Sequence, residues 1–437
     1  MNFKKDASNE LFNQNLITTK LKFYQEEHRR LTILFDITRN ISTELKLDKL
    51  LLIMMDEVKR ALMADRCTIF LLDKKKNELW SKVAHGEREI KFPSYLGIAG
   101  YVATTGDILN IPDAYADPRF NREIDKKTGY HTKNMLTFPM RNKLGEIIGV
   151  FQVLNKHDGV FTKEDEKLID AISVISATHV ENAQLYEEQK KTIDSFIETL
   201  ASTIDARDPF MAGHSHRTAL YADAIARVMN ISQKRREILR YAALVHDYGK
   251  IAIREDVLKK KGILTKQEIE EMKDHPKVTR EILKKINFNG NNISIPAIAA
   301  AHHEKMDGSG YPDGIKGNDI PLEARILAVA DVFDAYTSDR HHRKKKEFKE
   351  VLQILDKDSG SHFDENCVTA FKQIKLDVLV NILIYNSSEM LDNKDLKFFS
   401  NYNINQLVDA LNNKPLKGDK NLIATVFLKY YNKDTYK

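Results

Sequence analysis

Apolar residues in the first third of the chain recur first at helical and then at strand spacing. Between residues 27 and 62 they lie three or four positions apart, as in amphipathic helices. Asn142 to Gly145 predicts a hairpin turn between two strands. Helix, strands, hairpin and helix in this order indicate an α+β unit. The strand-like runs, each bounded by turn residues, are residues 67–72, 78–83, 135–140 and 147–153.

The remainder of the chain is helical in pattern. Residues 163–207 contain no proline or glycine and carry apolar residues at helical spacing, which predicts one long helix, or two, joining the halves. Its polar middle, residues 181–191, fits a solvated connector better than a dimer seam, because the heptad pattern is not sustained over three repeats. Thr265 followed by Glu268 predicts a capping box for a helix that runs towards His275.

Composition narrows the class of protein. The 437 residues are 42% hydrophobic and 30% charged, as in ordinary globular proteins, and a net charge of +5 does not suggest a dedicated nucleic-acid binder. Two cysteines, Cys67 and Cys367, cannot form a disulfide framework and lack zinc-site spacing, so we expect a reducing cytoplasm. There is no signal-peptide pattern and no run of about 18 apolar residues, so we expect no membrane span.

Seven potential metal ligands stand out in the second half. A lone histidine in a helical domain is usually structural, but two adjacent ligand pairs with further single ligands are harder to dismiss. Imidazole and carboxylate suit first-row metals, and neighbouring residues on a helix diverge by about 100 degrees, so a pair can serve two metals. Two such metals can clamp the oxygens of a phosphodiester. The seven are His214, the pair His246 and Asp247, His275, the pair His302 and His303, and Asp331.

Two sequence blocks around these ligands indicate a family. His246-Asp-Tyr-Gly-Lys250 resembles the HDxGK signature of HD phosphohydrolases. His302-His-Glu-Lys-Met-Asp-Gly-Ser-Gly-Tyr-Pro312 resembles the HHExxDGxGYP signature of the HD-GYP subfamily. Further blocks follow the family's order, and the resemblance covers residues 201–372. It implies an all-α helical bundle that hydrolyses a cyclic dinucleotide.

The resemblance also implies a role for each ligand. Asp247 would bridge two divalent metal ions, iron or manganese being favoured, and Lys250 would steady the phosphate, so these two are the expected catalytic residues. Some members hold a third metal through a glutamate where this chain has Phe210, which predicts a two-metal site. The first metal would be held by His214, His246, Asp247 and Asp331. The second would be held with His275, His302 and His303.

Substrate contacts are expected beside the metals. Gly308 and Gly310 fit a tight turn in the loop that shapes the pocket. Arg340 and Arg343 fall where the family grips phosphate, although an ordinary basic surface run is the competing interpretation. Between them this chain has His341-His342 where the family usually has Pro-Tyr. The residues assigned to substrate are Gly310, Tyr311, Pro312, Asp334, Arg340 and Arg343.

The first half resembles a GAF domain over residues 27–185. The segment from Asn155 to Glu166 matches the NKx(n)Fx(3)DE signature of GAF domains that bind cyclic nucleotides. The resemblance implies an antiparallel sheet flanked by helices. It implies that the motif holds the fold, with a salt bridge between Lys156 and Asp165. The motif residues are Asn155, Lys156, Phe161, Asp165 and Glu166.

The ligand of this domain is left open between a cyclic nucleotide, another small molecule, and no ligand with a role in dimerisation only. Residues 113–130 are expected to cover a pocket.

The expected protein is therefore multidomain, with a GAF sensor that controls a cyclic di-GMP phosphodiesterase whose product is pGpG, with GMP left open. The alternatives are a non-catalytic cyclic di-GMP effector and an enzyme for 3′,3′-cyclic GMP-AMP; the GYP block argues against a nucleotide triphosphate or (p)ppGpp hydrolase. A homodimer is expected, and a nucleic-acid polymer is not an expected partner. The segments are an N-terminal tail or helix at 1–26, the GAF domain at 27–185, a connecting helix at 186–200, the HD-GYP domain at 201–372 and a helical extension at 373–437.

Overall fold

The computed structural model describes residues 3–81, 90–207, 212–288, 290–339, 344–385, 390–412 and 420–432. The chain forms two units, residues 1–192 and 193–437. Within the described residues, no helix combines the length and the apolar character that crossing a membrane requires.

A six-stranded antiparallel sheet organises the first unit. Its strand order is β3-β2-β1-β6-β5-β4, and the hairpin between β5 and β6 closes through hydrogen bonds from the Asn142 amide to the Glu146 carbonyl and from the Gly145 amide to the Asn142 carbonyl. The helices and strands are α1 Phe3–Ile41, α2 Leu47–Ala61, β1 Ala64–Asp73, β2 Glu78–Ser81, β3 Ile90–Pro93, α3 Gly97–Thr105, β4 Leu109–Ile111, α4 Arg122–Thr128, β5 Met135–Arg141, β6 Ile147–Lys156 and α5 Lys163–Arg207.

Side chains on the two faces of this sheet enter different cores. On β1, Ile69 and Leu71 point to the larger core, where helix α2 contributes residues one turn apart such as Leu50 and Met54. Phe70, between them, points to a smaller core against α3. The alternation follows from the two-residue period of a strand, and it confirms the predicted α+β fold with helices flanking an antiparallel sheet.

Some elements were left open or not predicted. Helix α1 is continuous from residue 3 to 41, so the segment expected to be a tail or a helix is helical over its described residues. Strands β3 and β4 and helix α3 were not predicted. The last two residues of the run predicted at 78–83 lie outside the described residues. Residues 163–207 form one helix, which resolves the choice between one helix and two.

The second unit is helical in its described residues. The capping box predicted at Thr265 and Glu268 is present, with each side chain bonded to the other's backbone amide. Its helices, after the C-terminal part of α5, are α6 His214–Val228, α7 Gln233–Val245, α8 Glu255–Leu258, α9 Lys266–Lys273, α10 His275–Leu283, α11 Ile295–Ala300, α12 Leu322–Thr337, α13 Phe348–Lys357, α14 Glu365–Lys372, α15 Leu376–Leu383, α16 Asn393–Phe399, α17 Ile404–Leu411 and α18 Lys420–Tyr431.

The C-terminal extension packs into the same core as the helices that carry the predicted ligands. Phe427 and Tyr431 of α18 contact Phe348, with ring centroids 4.6 and 5.5 Å apart. Phe348 in turn contacts Phe333 of α12 at 6.0 Å. The extension is therefore an integral part of this unit.

Candidate metal centre

The seven predicted ligands meet in the second unit; six come from helix ends or short 3-10 turns, and Asp331 comes from the interior of α12. His214 is the first residue of α6 and follows Gly213, whose φ of 72° suits glycine. His246 is the C-cap of α7, and Asp247 is the N-cap of the 3-10 turn Tyr248–Ala252. Of the others, His275 begins α10, His302 and His303 lie in the 3-10 turn Ala301–His303, and Asp331 lies within α12.

Three side chains make a first group. The ligand atoms of His214, His246 and Asp331 all lie within 4.8 Å of one another. Asp331 Oδ1 is 3.1 Å from His214 Nε2 and 3.6 Å from His246 Nε2. Asp247 Oδ2 joins the group at 3.3 Å from His246 Nε2.

His275, His302 and His303 make a second group of the same size. The Nε2 atoms of His275 and His302 are 3.4 Å apart. Asp247 Oδ1 lies 3.1 Å from His275 Nε2 and 3.9 Å from His302 Nε2. The two oxygens of Asp247 therefore face different groups, which is the arrangement that a bridging carboxylate requires.

Hydrogen bonds at Nδ1 set the tautomer of the imidazoles. In His246, His275 and His302, Nδ1 donates to the carbonyl three residues earlier, at 2.6, 2.7 and 2.6 Å. A carbonyl oxygen only accepts, so the proton is on Nδ1 and Nε2 keeps its lone pair. In His214 the partner of Nδ1 is the Asp334 carboxylate, at 2.7 Å. In the neutral form that binds a metal, all four rings thus aim an acceptor atom at the site.

These acceptor atoms fit a metal ion. The Nε2 atoms of His214 and His246 are buried and have no hydrogen-bond partner among the described residues. They face carboxylate oxygens, which are also acceptors, so lone pairs oppose each other. A buried cation between the imidazole nitrogens and the carboxylate oxygens would remove this repulsion. It would also give the two buried Nε2 atoms the partner that they lack. Imidazole with carboxylate is a donor set that suits first-row divalent metals.

Neighbouring positive charges keep the carboxylates ionised in spite of burial. Burial opposes charge on Asp247, but the Lys250 ammonium and His246 hold the pKa of Asp247 well below its ordinary value. Burial also opposes charge on His246, but Asp247 and Asp331 outweigh it and raise the pKa of His246 to about 10, so without a metal this ring carries a second proton, on Nε2, which a bound metal would replace. Burial is the largest effect on His303 and lowers its pKa to about 3. The site therefore holds negative carboxylates and at least one neutral imidazole.

Lys250 brings a positive charge to the edge of the site. Its Nζ lies 2.5 Å from Asp247 Oδ2, and its side chain is 13% exposed. The residue lies one turn after Asp247 in the 3-10 turn, which directs both side chains to the same side. An ammonium at this place can reach an anionic ligand as well as the carboxylate.

The predicted pocket loop is held closely against the second group. The ring of Tyr311 lies 4.8 Å from that of His303, at an interplanar angle of 35°. Glu304 Oε1 accepts from the amides of Asp313 and Gly314, at 2.7 and 3.2 Å. A Cβ on Gly310 would lie 2.5 Å from the Lys305 amide nitrogen, so the loop can approach the Ala301–His303 turn only with glycine there. Pro312 follows Tyr311 in the same loop.

Asp334 has a different environment from the one predicted. It was assigned to substrate, but its carboxylate is 1% exposed and is occupied by His214 and Arg217. Its observed bonds therefore support a predicted ligand, His214. The predicted contacts Arg340 and Arg343, the departure His341-His342 and the position of Phe210 lie outside the described residues.

The predicted GAF motif forms a connected set of contacts in the first unit. Lys156 pairs with Asp165, and Asp165 also accepts from the Thr162 amide at 2.7 Å. Asn155 has a φ of 56° and accepts from the Lys133 amide at 2.7 Å. Asn110 donates to the Phe161 carbonyl and to the Glu166 carboxylate, both at 2.9 Å. These bonds tie the end of β6 to the start of α5.

Comparison with known families gives the same division of the chain. The family model for the GAF domain matches residues 46–180, and the model for the HD domain matches residues 198–367. The chain contains a GAF domain followed by an HD domain. The recognition of both from their motifs is confirmed, and the seven predicted metal ligands lie within the residues matched by the HD model.

Similar proteins include phosphodiesterases of cyclic dinucleotides. The 3′3′-cGAMP-specific phosphodiesterase 3 of Vibrio cholerae is 37% identical over 185 residues, which cover 41% of this chain and 39% of that protein. The cyclic di-GMP phosphodiesterase response regulator RpfG of Xanthomonas campestris is 40% identical over 188 residues, covering 43% and 48%.

A third relative, the probable 3′,5′-cyclic phosphodiesterase pde-5 of Caenorhabditis elegans, is 36% identical over 174 residues, covering 36% of this chain and 24% of that protein. The chain therefore spans less than half the length of each relative.

The GAF domain encloses a cavity of about 450 Å³. The Arg66 guanidinium lies 3.7 Å above the Tyr130 ring, and Phe92 and Phe120 are also in the wall. Tyr130 donates to Asp65 Oδ2 at 2.6 Å and accepts from Asn155 Nδ2 at 2.9 Å. The motif therefore fixes a residue of the cavity wall. Residues of the segment 113–130 line the cavity, where a covering segment was expected.

Two residues with a clear place in the HD site were not predicted. Arg217 holds Asp334, and Glu304 holds the loop that carries Tyr311. Glu304 belongs to the HHE block, so the motif itself was a signal. Arg217 lies one turn after His214, on the same face of α6, and that spacing was the only sequence signal for it.

Proposed function

We propose that the HD domain is a metal-dependent phosphodiesterase that hydrolyses cyclic di-GMP to linear pGpG. Whether it also hydrolyses pGpG to GMP is left open. The observation that carries the proposal is that Asp247 presents one oxygen to each of two groups of ligands, 3.3 Å from His246 in one and 3.1 Å from His275 in the other. Two divalent ions, iron or manganese, fit these donors. The named activities of the two bacterial relatives support a cyclic dinucleotide as substrate.

Metal ions bound here would supply Lewis acidity that activates water and stabilises charge on phosphate oxygens. The chain's own residues prepare the site for them. The Nδ1 bonds of His246, His275 and His302 hold each ring in one orientation, so that little reorganisation accompanies binding. Lys250 places an ammonium where a phosphate oxygen can accept from it. Tyr311, beside His303, gives a ring on which a base or ribose can pack.

The proposal is tested with purified protein, loaded with Mn(II) or Fe(II), and cyclic di-GMP, with products followed by chromatography. We expect pGpG from the wild type and none from Asp247→Ala, which loses the shared carboxylate. The matched control is Asp256→Ala, whose carboxylate is exposed on helix α8. Equal turnover by the Asp247 variant contradicts the proposal. Binding of cyclic di-GMP without any product from the wild type supports instead a non-catalytic effector.

A second substrate is favoured by one observation. The relative from Vibrio cholerae is named as specific for 3′3′-cGAMP. Rates measured side by side on both dinucleotides separate the two candidates, and a higher kcat/KM for 3′,3′-cyclic GMP-AMP would replace cyclic di-GMP in the proposal.

The GAF domain is proposed to bind a small anionic ligand with a flat ring, a cyclic nucleotide being the leading candidate, and to regulate the phosphodiesterase. The cavity with its cation and aromatic rings supports this, since Arg66 can pair with a phosphate and rings can stack on a base. Calorimetric titration with cGMP and cAMP tests it, with Arg66→Ala expected to weaken binding and exposed Lys74→Ala to leave it unchanged. An unchanged phosphodiesterase rate at saturating ligand contradicts the regulation.

A homodimer is proposed through helix α1. Its apolar residues Leu21, Tyr24, Leu31 and Phe35 are more than half exposed and lie three, seven and four positions apart, spacings that a coiled coil also has. Sedimentation of the wild type and of Leu31→Glu tests this, and a monomeric wild type contradicts it. A cytoplasmic location is proposed from the two free, buried thiols, Cys67 and Cys367, which suit a reducing compartment.

A further inference from the structure

One metal ligand is anchored differently from the others. Three histidines of the site donate Nδ1 to a main-chain carbonyl, which is fixed by the helix that carries it. His214 instead bonds to a side chain, Asp334, at 2.7 Å. A side-chain carboxylate can rotate, so the orientation of His214 depends on what holds Asp334.

Arg217 holds that carboxylate from the opposite side. Its Nε donates to Asp334 Oδ1 at 2.7 Å and its Nη2 to Oδ2 at 3.0 Å, a two-point grip that fixes the carboxylate plane. Arg217 also donates to the Ala212 carbonyl and to Ser338 Oγ, both at 3.2 Å. His214, Arg217 and Asp334 are 2%, 5% and 1% exposed, so water cannot replace these bonds at low cost.

The helices explain why this set forms. Arg217 lies one turn after His214 on α6, and Asp334 lies one turn after the ligand Asp331 on α12. Two cross-links therefore join the same pair of helices, one through the two ligands at 3.1 Å and one through the arginine and the carboxylate. The second cross-link lies directly behind the first and sets the distance and rotation of the two ligands.

We infer that Arg217 is a positioning residue for the first metal, acting through Asp334 on His214. The inference rests on the proposed metal site of the HD domain. Without the two hydrogen bonds from Arg217, the Asp334 carboxylate can rotate, and the His214 ring can rotate with it. The first group, His214, His246, Asp247 and Asp331, should then bind metal more weakly. In the second group, His275 and His302 are held by main-chain carbonyls and not through Asp334, so this group should keep its affinity.

The test is calorimetric titration of metal-free full-length protein with Mn(II), without substrate. Arg217→Lys keeps the positive charge but loses the planar guanidinium that donates two parallel hydrogen bonds. We expect one of two Mn(II) ions to bind about 10- to 100-fold more weakly to this variant. The control is Arg227→Lys on the same helix, where Arg227 Nε bonds to Asp223 at 2.6 Å but the side chain is exposed. It should bind Mn(II) as the wild type does.

A double-mutant cycle separates positioning from general packing. In an Asp334→Asn background, Arg217→Lys should have little further effect on Mn(II) affinity, because the arginine acts through the missing carboxylate. Near-additive losses overturn the inference, as does equal weakening of both ions or wild-type affinity in Arg217→Lys. If the wild type binds no Mn(II), the proposed metal site fails and the inference fails with it. If it binds two ions that Arg217→Lys also binds unchanged, only the inference fails.

Discussion

A methyl group at Gly249 should separate the two halves of the proposed metal site. Gly249 follows Asp247 in the HD block, and its amide donates to Thr279 Oγ1 at 2.8 Å. A Cβ there would lie 1.9 Å from the His275 carbonyl oxygen and 2.6 Å from the Thr279 amide nitrogen. Those atoms belong to the first turn of α10, so the methyl group would be driven into the backbone of the helix that begins with a ligand.

The size of the effect follows from these distances. Ordinary van der Waals contact begins at about 3.4 Å, so the turn and α10 must move apart by about 1.5 Å. Metal–ligand distances tolerate only about 0.2 Å. We therefore expect Gly249→Ala to weaken the second Mn(II) ion by about 100-fold or more. Overpacking against backbone should cost about 3 kcal/mol, which corresponds to a fall of about 6–12 °C in the Tm of the HD domain.

The assay combines Mn(II) titration with differential scanning calorimetry on the full chain. The single tryptophan, Trp80, is in β2 of the GAF domain, so its fluorescence gives a separate unfolding transition that should not change. Gly262→Ala is the matched control, since a Cβ there meets nothing within 4 Å. It should be neutral or slightly stabilising, by less than about 1 kcal/mol. Wild-type Tm and wild-type Mn(II) affinity in Gly249→Ala would refute the argument.

Four further outcomes are expected. Glu304→Ala leaves two loop amides without an acceptor and should destabilise the HD domain by about 2 kcal/mol, seen as a lower Tm by calorimetry; an unchanged Tm would show that water replaces the carboxylate. Burial raises the pKa of the Cys367 thiol to about 12 and raises that of Cys67. Both should therefore resist a thiol reagent at pH 8 until the protein is unfolded, and their contribution to stability, complete below about pH 8.5, should fall as the pH rises towards 12. Lys156→Met breaks the largely buried ion pair of the GAF motif and should lower the free energy of unfolding reported by Trp80 by about 2 kcal/mol, against no change for a substitution of exposed Lys74. Removal of metal by a chelator should lower the Tm of the HD transition alone, by several degrees; a matching fall in the GAF transition would count against a site confined to the HD domain.

Most of the candidate site could be predicted from the sequence because many of its residues lie close together along the chain. Adjacent ligands in His246-Asp247 and His302-His303, and the glycine loop after them, are visible as short blocks. The structure brings all seven ligands together, in two groups that share Asp247. The hairpin after β5 and the capping box at Thr265 were predictable for the same reason, since each depends on a few neighbouring residues.

Features that depend on distant partners could not be predicted. Arg217 and Asp334 are 117 positions apart, and nothing near either residue shows that they pair. Asp334 was therefore assigned to substrate when its bonds are to Arg217 and His214. Strands β3 and β4 have four and three residues, too few for alternation to be visible, and they are held by hydrogen bonds from the neighbouring strands β2 and β5. The same limit applies to the GAF cavity, whose wall draws on residues from 66 to 154.

The adjacent residues His246 and Asp247 face different groups of ligands because the helix ends between them. The expectation was that neighbouring residues diverge by about 100 degrees around one helix. His246 instead ends α7 with helical φ and ψ of −57° and −36°, and Asp247 leaves the helix at −93° and 5°. The imidazole is thus fixed by the helix, through its bond to the carbonyl three residues back, and the carboxylate is carried into the turn towards α10. That turn can approach α10 only because Gly249 has no side chain. The end of α7 can therefore direct His246 to the first group of ligands and one oxygen of Asp247 to the second, and Gly249, two residues after Asp247, makes this possible.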